Sequence, residues 1–164
     1  MNTKWVMSGL VIALLCPLGM AAAEEKEPLF VLSLGGVGEW GFPGGKLSRG
    51  PSAAVEFDLI KEWVEVEVGA AKVFRRGNSE WEAEVVFRKP FTLSKTTELA
   101  IGLGPVWSQA KGESGKWGTT FSADFMFWSS PERKYGWFVE PTYSFISGNE
   151  RSLGVSVGFL IGIH

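Results

Sequence analysis

The chain has 164 residues, a formal net charge of −2, one cysteine and one histidine. The near-neutral balance argues against a nucleic-acid partner, and a lone cysteine rules out an internal disulfide framework or a cysteine-rich metal site. Beyond the first residues no stretch approaches the roughly 20 apolar residues that a membrane helix needs.

Residues 1 to 23 carry one charge, Lys4, then the apolar run Val11 to Leu15, a helix-breaking Pro17 and the small residues Ala21, Ala22 and Ala23 before Glu24. This is the pattern of a cleaved secretory signal peptide. Cys16 follows Leu15, where a lipid-attachment box wants a small residue, so lipidation is not expected. Cleavage removes the only cysteine and leaves residues 24 to 164 as one domain.

From there, eight segments alternate apolar with polar or small residues, with turn residues between them. They span about Leu29 to Val37, Pro51 to Leu59, Trp63 to Phe74, Ser79 to Arg88, Thr97 to Ser108, Trp117 to Ser129, Tyr135 to Ile146 and Ser152 to Ile163. In the last, Leu153, Val155, Val157, Phe159, Ile161 and Ile163 share one face and Gly154, Ser156, Gly158 and Gly162 the other. Charged, Gly-rich connections at Trp40 to Gly50, Arg75 to Asn78, Ala110 to Lys116 and Ser147 to Arg151 follow the odd strands. Tighter turns at Lys61–Glu62 and Ser130 to Lys134 follow even strands, with Lys89 to Thr96 as a longer exception. An even strand count places both termini on the periplasmic side and the odd connections outside.

The expected fold is therefore all-β, an eight-stranded antiparallel up-and-down transmembrane β-barrel. A soluble lipocalin-like carrier would share the alternation with the faces reversed. Volume separates the two. The bulky face carries about thirty large apolar side chains, too many for the interior of an eight-stranded barrel. The other face supplies Gly35, Gly69, Gly102, Gly104, Gly118, Gly154, Gly158 and Gly162 for a crowded lumen. Trp63, Trp81, Trp107, Trp117 and Trp137 near strand ends match the aromatic girdles of membrane interfaces.

The lumen is expected to hold a polar network of Glu56, Asp58, Glu65, Glu67, Glu82, Glu84, Arg88, Glu98, Asp124 and Glu140. Nine carboxyl groups against one guanidinium call for water, bound protons or bases reaching in from the rims. An acidic lumen admits a hard cation such as Ca²⁺ or a narrow cation-preferring pore, but eight strands normally leave no continuous channel. Pro105 and Pro141 fall mid-strand, where a missing N–H predicts bulges.

The pattern resembles small Gram-negative outer-membrane β-barrels of the adhesion and OmpA-like type. Gly50-Pro51-Ser52-Ala53-Ala54-Val55-Glu56-Phe57-Asp58 and Asp124-Phe125-Met126-Phe127-Trp128 are also similar to an uncharacterised family of bacterial outer-membrane proteins. The resemblance implies delivery by the barrel-assembly machinery. Such barrels usually end in Phe or Trp, whereas this sequence ends in Ile163-His164 with Phe159 further in. His164 is the only histidine and falls at the periplasmic end, so no lipid A hydrolase, acyltransferase or other catalysis is expected, and no cofactor. The i, i+2 pairs Glu65/Glu67 and Glu82/Glu84 reflect strand periodicity rather than glycosidase chemistry. The external connections carry Lys46, Arg49, Arg75, Arg76, Lys111, Lys116 and Arg151 against Glu39, Glu113 and Glu150. Those bases are expected to meet the phosphates of lipopolysaccharide, making outer-membrane lipid the partner of a monomeric barrel with a structural or interaction role.

Overall fold

The structure is a computed structural model and describes residues 27 to 164 except 43 and 76. The expected signal peptide and Arg76 lie outside the described residues. Eight strands follow one another: β1 (Phe30–Phe42), β2 (Lys46–Ile60), β3 (Val64–Arg75), β4 (Asn78–Ser94), β5 (Thr97–Ala110), β6 (Lys116–Trp128), β7 (Tyr135–Ile146) and β8 (Glu150–Ile163). Every neighbour is antiparallel, and β1 pairs with β8 from Phe30↔Ile163 to Phe42↔Arg151, which closes the barrel. Closure gives every strand a hydrogen-bonding neighbour on both sides, the condition for crossing hydrocarbon with strands.

Burial runs opposite to that of a soluble protein. Arg88 is 1% exposed and is the largest fully buried side chain, whereas Phe159 is 73% and Trp117 66% exposed. Phe, Leu, Val and Trp thus clothe the outside, and Glu, Ser, Thr and Gly fill the lumen. Trp40, Trp81, Trp107 and Trp117 face outward near the end that holds the odd-numbered connections. Trp63 and Trp137 face outward near the termini end, Trp137 stacked on Phe127 at 4.1 Å between ring centroids. Two lysines missed in the sequence reading mark the same levels. Lys72 lies over the Phe74 and Trp81 rings, and Lys89 lies over Trp63 and Phe91 while its Nζ donates to the Glu62 carbonyl. Long cationic side chains that reach toward aromatic girdles in this way hold their charge at an interface.

The strands run past the bounds expected from alternation. A membrane-crossing strand needs about 9 to 11 residues, whereas β4 has 17 and β2 has 15. The segment Trp40 to Gly50, expected as a loop, is a hairpin in which Trp40 pairs with Leu47 and Glu39 with Ser48. Lys89 to Ser94 likewise continues β4, as in Phe91↔Leu99, leaving only a tight turn before β5. Backbone pairing thus continues beyond the apolar belt at both places.

The bulges expected at Pro105 and Pro141 do not occur. Pro105 pairs with Thr119 and Pro141 with Val155; on the opposite side of each strand the pairs at the proline drop out, from Glu84↔Val106 to Phe87↔Leu103 and from Ser122↔Thr142 to Phe125↔Val139, with no shift of register. Register shifts fall instead at Asp58/Ile60 and Thr92/Ser94, beside turns at the termini end. In an antiparallel ladder a residue's N–H points to one neighbour only, so a proline loses one bond and the other side of the strand is untouched. Glycine on the inner face tightens the spot: Gly104 precedes Pro105 and Gly50 precedes Pro51, each pressed against the adjoining strand. A Cβ at Gly104 would stand 1.8 Å from the Val85 carbonyl oxygen, and one at Gly50 1.8 Å from that of Lys72. Gly104→Ala and Gly50→Ala are expected to destabilise the barrel by about 1 to 3 kcal/mol through overpacking against backbone. Gly38→Ala, where a Cβ meets nothing within 4 Å, is expected to be nearly neutral. Urea titration read by the unboiled gel mobility of refolded protein distinguishes these outcomes.

Candidate functional site: the polar lumen

Arg88 enters the lumen from β4, its stem passing over Gly102 of β5. A Cβ on that glycine would come within 2.7 Å of the Arg88 Cγ, so the missing side chain is what admits the arginine. Its guanidinium then reaches across the lumen to four other strands. Nη1 donates to Glu56 Oε2 at 2.9 Å and to Asp124 Oδ2 at 3.0 Å; Nη2 donates to Glu140 Oε1 at 2.9 Å and also pairs with Glu67. The partners come from β2, β6, β7 and β3. All five side chains are at most 8% exposed. Forked charge-assisted bonds of this kind are among the stronger protein hydrogen bonds, and the planar fork sets their directions.

The other expected lumen residues sort by depth. Glu98 at the termini end pairs with Arg133 at 2.8 Å, a base reaching in from the β6–β7 turn. In that turn the exposed Glu132 carboxyl sits below its usual pKa, mainly through its hydrogen bond with Ser130, then through its own backbone and the Lys134 charge. Asp58 and Glu65 stand opposite each other across β2 and β3, Glu65 buried and Asp58 half-buried. Glu82 and Glu84 line a cavity of about 50 Å³ on the far side of Arg88, together with Glu67, Glu140 and Glu39. Glu39 was expected in an external loop. It is instead an inward residue of β1, against the carboxyl of Glu82. Its odd position, shared with Ser33 and Gly35, was the available signal.

Below the arginine, toward the termini, Val31, Ala100, Met126, Trp128, Phe138 and Leu160 form a buried apolar cluster inside the barrel. The lumen is thus layered: an acidic cavity, a charge network and an apolar plug. Oxygens of Glu56, Glu67 and Asp124 lie within 4.8 Å of one another, a spacing a hard cation can use. The Arg88 guanidinium supplies the positive charge there.

The seven bases expected in external loops are mostly strand residues. Lys46 and Arg49 belong to β2, Arg75 to β3, Lys116 to β6 and Arg151 to β8; Lys111 alone among the described six lies in a turn. Arg49 faces outward beside Phe74, and Arg151 faces outward with its guanidinium 5.8 Å from the Phe145 ring centroid. Arg75 faces inward at the mouth, near Gly41 and Glu39. Lys116 pairs with Glu150 at 2.8 Å. His164 lies beyond the end of β8 and is exposed.

No protein-family model and no curated protein matches the chain. Among solved structures it is similar to Neisserial surface protein A, with a TM-score of 0.70 and 12% identity over 85% of this chain and 100% of that one. It is similar also to Ail, the attachment invasion locus protein of Yersinia pestis, with a TM-score of 0.63 and 16% identity over 83% and 99% of the two chains. The outer membrane protein OprG of Pseudomonas aeruginosa gives 0.64 and 12% over 85% and 98%. At such identities the likeness is one of fold: the chain has the architecture of the small eight-stranded outer-membrane β-barrels. The adhesion-type resemblance read from the alternation agrees with it.

Arg88→Gln is expected to destabilise the barrel by about 3 to 5 kcal/mol, because it leaves buried carboxyl groups without their cation. Adding Glu56→Gln and Asp124→Asn to that variant is expected to recover part of the loss, since neighbours in one network are not additive. Urea unfolding of the three proteins in lipid vesicles checks both statements.

Proposed function

We propose that the protein is an integral outer-membrane barrel with a structural or interaction role, its termini in the periplasm and its odd-numbered connections outside. The observation that carries this reading is the filled lumen inside an apolar exterior: four acids locked on Arg88, with an apolar plug beneath. Such an interior argues against the cation pore, because an ion in the acidic cavity faces a buried guanidinium and the apolar cluster that includes Met126, Trp128 and Phe138. It argues equally against the soluble carrier. Pockets for organic ligands run to about 300 Å³ or more, whereas the luminal cavity is about 50 Å³ and lined largely by small and acidic residues.

Function then resides on the outer surface and rim. Bases there, Arg49 and Arg151 on the outward face and Lys46 and Lys111 at the rim, support contact with lipopolysaccharide phosphates. The closed barrel leaves no strand edge to recruit a second copy, which supports a monomer handed to the membrane by the assembly machinery. No catalytic step belongs to this reading.

The protein is expected in the detergent-extracted outer-membrane fraction with a gel mobility that shifts on boiling, and to give no conductance steps in planar bilayers. Solubility without detergent would overturn the membrane reading. Steady channel openings would overturn the sealed lumen.

A further inference from the structure

The outward surface is bulky over much of the barrel, with small residues at Gly36 and Gly38 of β1 and in the cross-strand row Ala53, Ala70 and Ala83 of β2, β3 and β4. Gly36 and Gly38 face outward; a Cβ at Gly38 meets nothing within 4 Å, and one at Gly36 meets only the Gly50 carbonyl oxygen at 3.5 Å. Their cross-strand neighbours are Val157 and Val155 of β8 on one side and Pro51 and Arg49 of β2 on the other. The result is an open groove bounded by Gly36, Leu47, Arg49 and Phe74. On the same face of β1 the exposed Leu34 and Trp40 flank the two glycines, roughly 20 Å apart at about 3.3 Å per residue.

One cation, Arg49, lines it, and a second, Lys72, stands beside it on β3. Arg49 stands opposite Phe74, and Lys72, two residues along the same outward face of β3, holds its Nζ 5.7 Å from the Phe74 centroid and 5.1 Å from that of Trp81. Neither base pairs with an acid among the described residues, while the luminal Arg88 pairs with four. An uncompensated charge on the lipid-facing side of a barrel costs stability unless it sits at the interface and meets an anion. Trp81 places this pair at that level, at the end that the proposed orientation turns outward.

We propose that this groove is a docking site for lipid A: one acyl chain lies over Gly36 and Gly38, and a phosphate of the glucosamine headgroup bridges Arg49 and Lys72. The site rests on the outer-membrane reading and narrows its lipopolysaccharide contact to two residues and one face. An apolar slot beside two cations that pair with no acid among the described residues matches an amphiphile with phosphate at the head of its chains. Arg75, expected among the same contacts, borders the groove but turns its guanidinium into the mouth, near Gly41 and Glu39.

Native mass spectrometry of refolded protein in detergent micelles, with diphosphoryl lipid A, fully dephosphorylated lipid A and phosphatidylglycerol as probes, tests this. Diphosphoryl lipid A is expected to bind wild type at least about tenfold more tightly than either other lipid. Arg49→Gln/Lys72→Gln is expected to abolish that preference, and Gly36→Val/Gly38→Val to weaken all three lipids by filling the slot. Equal retention of diphosphoryl lipid A by wild type and the Arg49/Lys72 variant would overturn the site, as would equal retention of phosphatidylglycerol. Gel mobility of the same samples separates the two levels of failure. With the boiling shift intact, loss of discrimination removes only the lipid A site; without any shift, the outer-membrane reading itself falls.

Discussion

The middle of the lumen is arranged around one buried guanidinium. Arg88 is the largest side chain fully removed from solvent, and its guanidinium links β4 to β2, β3, β6 and β7. A buried ion pair is weak evidence for stability as such, since desolvation offsets much of the Coulombic gain. Its stronger consequence is geometric. Four strands from two sides of the wall must present their acids to the arginine of a fifth at one point, so the network is satisfied at one register of the closed sheet. The glycine at 102, which clears space for the arginine stem, belongs to the same constraint.

The exterior follows a different rule. Hydrocarbon makes no demand for specific partners, so Phe121, Leu103 or Val157 need only be apolar, and specificity appears where the belt is interrupted. The interruptions are informative because each has a physical cost. Lys72 and Lys89 place charge beside aromatic rings near opposite ends of the belt, and Gly36 and Gly38 give up contact area with lipid. A membrane barrel under no constraint but solubility in lipid would fill those glycines. That they remain open beside two cations with no acid partner among the described residues is what gives one face of the barrel an individual character.

Prolines within a closed sheet show how local rules yield to context. Pro105 and Pro141 were expected to force bulges because a barrel has no edge strand, yet both keep register. A ladder bond lost on one side is a local defect, whereas a one-residue slip would exchange the lumen and lipid faces of a whole strand. The sheet accepts the smaller cost, and inward glycines next to Pro105 and Pro51 let adjoining backbones close in.

Strand number, alternation, the lipid-facing assignment and the roster of luminal acids were all legible in the amino-acid order, because a period of two and the volume of eight strands leave little freedom. Lys72 was legible too, by its parity with Val66 and Val68, and Glu39 by its parity with Ser33 and Gly35. Strand ends were not. Nothing in the local composition of Trp40 to Gly50 separates a polar loop from a polar strand whose inner face still finds partners. Only closure of the sheet decided which acids converge on Arg88, which turn to Arg133, and which of the bases look outward, because those outcomes depend on the stagger between strands distant in sequence. Periodicity assigns a residue to a face; the shear of the barrel assigns it a height, and contact requires both.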